Sequence, residues 1–277
     1  MNDRIDFIFD GIGLSEAYKR TTRLAIAAHQ DDVEFMAYSA ISDCFKNPDE
    51  WFSAVVLTDG AGSPRDGSYK NCSDSDMKRI RIKEQQKAAF IGEYGFASML
   101  GYSSSKVKNL EDELITQLAQ IIKKSKPAII YTHNPADKHD THIAAMMATL
   151  KAIRSLSKGE RPSKLFGCEV WRALDWVSDE DKISLDCSNY PNLEMALMGV
   201  FDSQISGGKR YDEAVIGRRK ANATFGASHA VDSCKALNYA IDLTPLIVDD
   251  ELNVTEFITD YIEKFKYSVT EKLEKYE

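Results

Sequence analysis

The sequence predicts an α/β chain: a Rossmann-like three-layer sandwich on a mostly parallel sheet, with any site at the carboxyl ends of the strands. Two features predict it. Over the first 155 residues, short β-branched or apolar runs alternate four times with longer segments of helical period, the pattern of parallel strands joined by crossover helices. Beyond residue 157 the alternation loosens behind a polar Lys-Gly-Glu-Arg-Pro-Ser linker at 158–163, so the second half is expected to complete the sheet and roof a pocket.

Taken in order, the apolar run at 23–28 reads as the first strand and 32–45 as the helix that follows it. Residues 52–58 and 96–101 read as the next two strands, separated by a helix at 76–92. A helix at 110–125 leads to a strand at 128–132, and a helix at 139–155 closes the regular half. Later come a strand-like stretch at 165–172, helical periods at 192–204 and 211–223, a strand at 239–243 and a terminal helix at 251–276. There is no internal repeat or low-complexity tract, so residues 1–277 are expected to form one domain, 1–157 as core and 158–277 as completion and cap. In such sheets the loops leaving the carboxyl ends of the strands converge on one edge, where ligands bind.

Composition narrows the partners. A chain of 277 residues with 43% hydrophobic content can bury one large core. Its charge of −8, from 43 acidic against 35 basic residues, offers no polycation for nucleic acid or an anionic membrane surface and suits small neutral or cationic partners. The five cysteines are scattered and never spaced C-x-x-C, which fits a reducing cytoplasm better than a disulfide framework or a cysteine zinc site. Asp3, Arg4, Asp6, Asp10 and Glu16 interrupt the first twenty residues, so no secretory h-region is expected there, and no later stretch reaches membrane-spanning length. Oligomeric state is not legible, and a homo-oligomer is left open.

The first chemical cluster is Ala28-His29-Gln30-Asp31-Asp32-Val33-Glu34, where the first strand runs out. It can supply one nitrogen and one oxygen ligand to a divalent metal, with the remaining carboxylate beside the metal's water. The plainer reading is a capped helix start, with Asp31 or Asp32 as N-cap and His29 a satisfied histidine. The second cluster runs from His133 to His142 after the strand at 128–132 and holds three of the five histidines. His139 and His142, three apart, project from one helix face, and Asp137 can cap or orient an imidazole. An incidental solvated cluster is the alternative, but both clusters follow strands of one sheet, so four histidines should meet at a common edge.

These residues resemble the PIG-L/LmbE-like deacetylases, whose first-strand Ala-His-Pro-Asp-Asp motif with a following glutamate and whose His-x-x-His are matched by Ala28 to Glu34 and His139-Asp140-Thr141-His142. Thr58-Asp59-Gly60 is similar to the family's second-strand loop, and Arg81-Ile82-Lys83-Glu84 to its Arg-x-x-Glu helix. The resemblance covers about residues 22–155; beyond them only Cys168 to Trp171 and Asp202 to Gln204 look familiar. It implies that His29, Asp32 and His142 bind Zn2+ or another divalent ion such as Fe2+, that Asp31 is the general base, and that His139 faces the substrate's carbonyl oxygen. It further implies a small N-acylated amino-sugar substrate bordered by the loop of Asp59 and Gly60, with the Arg81 guanidinium contacting its hydroxyls. For Arg81 the plain alternative is a surface ion pair with Glu84, and Gly60 and Gly62 are more readily turn formers. Glu34, Asp137 and Asp140 are expected behind the ligands.

The chain departs from the family pattern where Gln30 replaces proline, where Met36, Ala37 and Tyr38 replace glycines, and where Asp140-Thr141 replaces Pro-Asp between the histidines. Asp137 or Asp140 would then substitute for the missing carboxylate. Two competing readings stand beside the hydrolase. A non-haem iron oxygenase shares the two-histidine, one-carboxylate set but has no need of Asp31. A non-catalytic sugar- or nucleotide-binding module lacks a G-x-G-x-x-G after the first strand, where two carboxylates would repel a pyrophosphate. Lys209, Arg210, Arg218, Arg219 and Lys220 read as a basic run, and Trp171, Trp176, Tyr190 and His229 as residues of the mouth or the core.

Overall fold

In the computed structural model, which describes residues 4–226 and 229–277, the strand expected at 52–58 is buried along its whole length. The strands are β1 (Ile5–Phe7), β2 (Arg23–Ala27), β3 (Phe52–Thr58), β4 (Ala97–Tyr102), β5 (Ile129–His133), β6 (Lys164–Cys168), β7 (Ile183–Asp186) and β8 (Leu237–Asp242). The helices are α1 (Leu14–Arg20), α2 (Asp32–Met36), α3 (Tyr38–Cys44), α4 (Asp74–Ile91), α5 (Ser104–Lys108), α6 (Asp112–Ser125) and α7 (Asp140–Arg154), then α8 (Pro191–Gly199), α9 (Asp202–Ile205), α10 (Tyr211–Phe225), α11 (Thr244–Val248) and α12 (Val254–Glu274).

All eight strands join one sheet in the order β1-β4-β3-β2-β5-β6-β8-β7. The run from β4 to β6 is parallel, while β1 and the β8-β7 pair are antiparallel additions. Side-chain alternation divides the core as a three-layer sandwich requires. Leu24, Ile26, Val55 and Leu57 pack with α6 and α7, while Ala25, Ala27, Ala54 and Val56 pack with α2 and α3. The small residues on the second face let α2 lie close against the sheet. From β2 the chain winds outward through β3 and β4, then returns to the other side of β2 with β5. The order therefore reverses between β2 and β5, the switch point at which open α/β sheets leave a crevice.

Strands and helices of the first half fall where the sequence puts them, with one informative exception. The helix expected at 32–45 breaks at Ala37, where φ is −118° and ψ 21°. Arg219 Nη2 donates to the carbonyls of Glu34 and Phe35 at 2.7 and 3.0 Å, and Asn238 Nδ2 donates to Phe35 O at 2.9 Å. Carbonyls that a continuous helix would bond internally are thus bonded by the second half of the chain. Similarly, the period at 192–204 divides into α8 and α9 around Phe201, at φ −86° and ψ 53°. The stretch at 165–172 stays a strand only to Cys168. The edge strands β1 and β7 and the helices α1, α5 and α11 are additions to the expected elements. Among the described residues, no helix is long and apolar enough to cross a membrane.

Candidate metal centre and its cleft

The loop leaving β2 folds back on itself. His29 N–H donates to Asp32 Oδ2 at 2.8 Å, and His29 Nδ1 lies 3.1 Å from the same oxygen. From the far side of the switch point, α7 brings His142 Nε2 to 3.2 Å from His29 Nδ1 and 3.3 Å from Asp32 Oδ2. Two nitrogens and an oxygen therefore form a nearly equilateral triangle. Four ligand atoms set tetrahedrally around zinc at about 2.05 Å would stand about 3.3 Å apart. The donor set fits such an ion and leaves one position open.

His142 is turned by what lies behind it. Its Nδ1 is 3.2 Å from Asp137 Oδ2, so when an ion displaces the second proton of the imidazolium, Nδ1 keeps its proton beside Asp137 and Nε2 is the atom that can ligate. Asp137 also accepts the His139 amide at 2.9 Å through Oδ1. Of the two carboxylates expected to serve the histidines, Asp137 is buried against His142, whereas Asp140 is exposed in the first turn of α7. Burial lowers the affinity of His142 for its proton, but Asp32 and Asp137 outweigh it and push the imidazole up to about 10. Burial also works to raise Asp32, yet His142 and His29 hold it well below the usual carboxylate range.

Four histidines meet, as the two clusters require. Ring centroids of His29 lie 5.1 Å from His139 and 5.2 Å from His142, and His133 stacks on His142 at 4.0 Å. His133 could form a second triad with Asp137 and His142 by proximity. Its Nε2, however, accepts the Ala28 amide at 3.0 Å, and burial drives the ring down to about 3. It is a neutral imidazole tying β5 to the end of β2. His139 is the N-cap of α7, its Nδ1 accepting from the Thr141 amide at 3.2 Å. In the neutral ring the proton then sits on Nε2, and burial together with His142 and His29 lowers the pKa, favouring that neutral form.

Asp31 is the N-cap residue of α2 by position but makes no side-chain cap hydrogen bond. Its carboxylate meets Arg81 Nη2 at 3.2 Å instead. Burial pushes it up to about 6, with Arg81 opposing and Asp32 adding to the rise. Arg81 is only 2% exposed, so it is no surface ion pair, although it does reach Glu84 Oε2 at 3.5 Å. Gln30, in the family's proline position, is fully buried and donates from Nε2 to Thr58 O at 2.9 Å, tying the β2 loop to the end of β3. Side-chain bonding thus replaces the fixed φ of proline. Gly60 has φ +73°, and a Cβ there would come within 2.8 Å of Gln30 Oε1 and 2.9 Å of Arg81 Cβ.

Two expected positions take different places. Asp59 shapes the turn, accepting the Ala61 amide at 3.1 Å and pairing with Lys78 at 2.7 Å, while Gly60 and Arg81 line the cleft. Glu34 turns to Gln85 Nε2 and Tyr94 Oη, each at 2.8 Å, rather than to a ligand. The cleft itself is about 620 Å³ and runs from the triangle past Phe35, Trp171 and Tyr211. The second half supplies a stripe of α10, Tyr211, Ala214, Val215 and Arg218, at the i, i+3, i+4, i+7 spacing that marks one helix face. Of the basic run, Lys209 and Arg218 line the cleft, Arg219 is buried against Glu194 at 2.6 Å, and Arg210 pairs at the surface with Asp212 and Glu213. Trp171 is a wall residue, whereas Trp176, Tyr190 and the exposed His229 lie outside the lining.

Comparison with known proteins agrees with this geometry. The family described as PIG-L, GlcNAc-PI de-N-acetylase, matches residues 24–153, the segment that carries all four motifs. The chain is 28% identical over 157 residues to the uncharacterized deacetylase YaiS of Escherichia coli, covering 55% of this chain and 78% of that protein. N,N'-diacetylchitobiose deacetylase from Pyrococcus horikoshii superposes with a TM-score of 0.63 at 15% identity, over 83% of this chain and 86% of that one. GalB, the 4-carboxy-2-hydroxymuconate hydratase of Pseudomonas putida, superposes with a TM-score of 0.61 at 16% identity, over 81% and 96%. At such identities the two structures show a common fold, and a fold shared by a deacetylase and a hydratase leaves the chemistry to the site. Residues 24–153, the segment that builds the triangle at the switch point, are thus what this chain shares with the PIG-L family, described as GlcNAc-PI de-N-acetylase.

Proposed function

We propose that the protein is a metal-dependent, zinc-using amide hydrolase that removes an N-acetyl group from an amino sugar or a related small molecule. The observation that carries this reading is the triangle of His29 Nδ1, His142 Nε2 and Asp32 Oδ2, with edges of 3.1, 3.2 and 3.3 Å, beside a carboxylate that is not part of it. A divalent ion held there would supply Lewis acidity, lowering the pKa of a water in its open position towards about 7 and polarising the amide carbonyl.

The chain's own residues do the rest. Asp31, raised to about 6, is suited to take the attacking water's proton near neutral pH and to return it to the departing amine. His139, with Nδ1 accepting from Thr141, carries its proton on Nε2 and can donate it in a hydrogen bond to the oxygen on which charge develops. Gly60 and Arg81 wall the cleft near Asp31, while Phe35, Trp171 and Tyr211 offer apolar faces to the body of the substrate. The extra carboxylate favours hydrolysis over iron-dependent oxygenation, which needs no base beside the metal. A reducing, cytoplasmic setting is part of the proposal and is supported by five free cysteines.

The test is metal content of the purified protein together with amine release from a panel of N-acetylated glucosamine derivatives, under air and under nitrogen. About one zinc per chain with oxygen-independent amine release supports the reading. Turnover that requires iron, oxygen and a 2-oxoacid removes it, and no metal uptake after reconstitution also removes it in favour of a non-catalytic binding protein.

A further inference from the structure

The proposed base sits on an unfavourable piece of backbone. Asp31 has φ 91° and ψ −34°, a region sparsely populated by any residue but glycine, and such conformations persist only where the surroundings over-determine them. Here the surroundings are Arg81. Its Nη2 lies 3.2 Å from Asp31 Oδ2 and also donates to the carbonyl of Gln30, the peptide immediately before the twist. One guanidinium corner therefore holds both the carboxylate and the backbone that aims it.

Arg81 is itself held. Its Nη1 lies 3.5 Å from Glu84 Oε2, and Glu84 accepts the Ser203 amide at Oε1 and the Ser203 hydroxyl at Oε2, both at 2.7 Å. Asp31, Arg81, Glu84 and Ser203 are exposed by 4%, 2%, 4% and 0%, so water does not compete at any joint. Gly60 leaves room for the arginine stem, since a Cβ there would meet Arg81 Cβ and Cγ at 2.9 Å. The chain of contacts runs from α9, in the second half, through α4 to the loop after β2.

We infer that Arg81, braced by Glu84 and Ser203, is a positioning residue that fixes Asp31 in its reacting geometry, rather than a contact for substrate hydroxyls. This rests on the reading of Asp31 as the base. A misplacement of about 1 Å at a reacting group costs on the order of 100-fold in rate without weakening substrate binding.

The experiment is steady-state kinetics of Arg81→Lys, Glu84→Gln and Ser203→Ala, with metal content and thermal midpoint on the same samples, and a crystal structure of metal-free Arg81→Lys. We expect kcat to fall on the order of 100-fold in Arg81→Lys and about 10-fold in the two milder variants, with KM and metal content little changed. In the Arg81→Lys crystal, Asp31 should leave its positive φ or its carboxylate should shift. A raised KM at unchanged kcat would make Arg81 a substrate contact and overturn the inference. So would an Asp31 that keeps both its φ and the place of its carboxylate in the crystal of that variant, whatever the turnover. Should the wild type release no amine from any amide, the proposed function fails, and the crystal structure alone decides the positioning.

Discussion

Replacing Asp137 by asparagine tests the proposal that Asp137 prepares His142 for a metal. Asp137 faces two groups: Oδ1 accepts the His139 amide at 2.9 Å, and Oδ2 lies 3.2 Å from His142 Nδ1 as an ion-pair contact. Asparagine has the same shape but one acceptor. The His139 amide always donates, so the asparagine oxygen stays with it and the NH2 group turns to His142. Two donors cannot face each other, so the neutral imidazole that an ion requires would carry its one proton on Nε2 instead of Nδ1. Nε2 is the corner of the triangle, and a protonated nitrogen cannot ligate. The loss expected for such an orienting carboxylate is about 10–100-fold in metal affinity, roughly 1.4–2.7 kcal/mol. Competition for Zn2+ against a chromophoric chelator near neutral pH measures it. Asp140→Asn is the paired control, because Asp140 is exposed and should leave affinity unchanged. Asp137→Asn binding zinc as tightly as the wild type would refute the tautomer argument, and an equal loss in Asp140→Asn would move the orienting role to that residue.

Four further outcomes follow from the same geometry. His29→Ala and His142→Ala each remove one corner of the triangle and should lose stoichiometric metal, as read by elemental analysis after gel filtration. Asp31→Asn should keep the metal and lose turnover by on the order of 10²- to 10⁴-fold, and an unchanged rate would remove Asp31 as the base. Gly60→Ala places a Cβ within 2.9 Å of Arg81 at φ +73° and should lower the thermal midpoint, with a cost of roughly 1–3 kcal/mol; Gly62→Ala meets nothing within 4 Å and should not. Burial pushes Glu34 up to about 8 from its ordinary 4.5, against the bonds from Tyr94 and Gln85. The folded state therefore binds that proton more tightly than the unfolded one. Its contribution to stability is complete below pH 4.5 and is lost as pH rises through about 8, at no more than roughly 1.4 kcal/mol per pH unit. Glu34→Gln should flatten the fall in thermal midpoint across this range, and a slope identical to wild type would show that Glu34 does not hold the proton.

What the sequence makes legible is what local pattern determines. The strands at 23–28 and 52–58 are built on the apolar runs 24–28 and 54–57, and β2 and β3 occupy them almost residue for residue. The convergence of His29 with His139 and His142 follows from one rule, that loops after neighbouring parallel strands share an edge. What stays hidden depends on partners distant in the chain. The break at Ala37 is made by Arg219 and Asn238, some two hundred residues away, and no local signal at 32–45 announces it. The i,i+3 spacing of Arg81 and Glu84 looks the same on a surface as in a core, so its burial against Asp31 and Ser203 cannot be read from spacing. Glu34 escapes its expected place for a related reason: two residues along a helix turn a side chain to another face, and Asp32 points to the triangle while Glu34 points to Tyr94.

The adjacent arginines of α10 explain how the irregular second half can govern what the cleft accepts. Arg219 is fully buried, and its bonds to Glu194 and to the Glu34 and Phe35 carbonyls fasten α8, α10 and the end of α2 together. Phe35, held by that fastening, is one wall of the cleft. Arg218 points the other way and donates to the carbonyls of Val170, Trp171 and Arg172 at 2.6, 3.3 and 3.2 Å, which holds the Trp171 loop as the opposite wall. One helix thus sets the separation between two walls while leaving the triangle, built by β2 and α7, untouched. Removing the buried Arg219 guanidinium would strand acceptors on Glu194, Glu34 and Phe35, each worth about 1–3 kcal/mol when left unpaired, whereas the half-buried Arg218 holds only the Trp171 wall. Changes at Arg218 should therefore alter which acyl amines bind, seen as KM differences across a substrate panel, without altering metal affinity. A loss of zinc in Arg218→Ala would mean that the wall and the metal centre are mechanically one unit, and that substrate choice cannot be retuned from α10 alone.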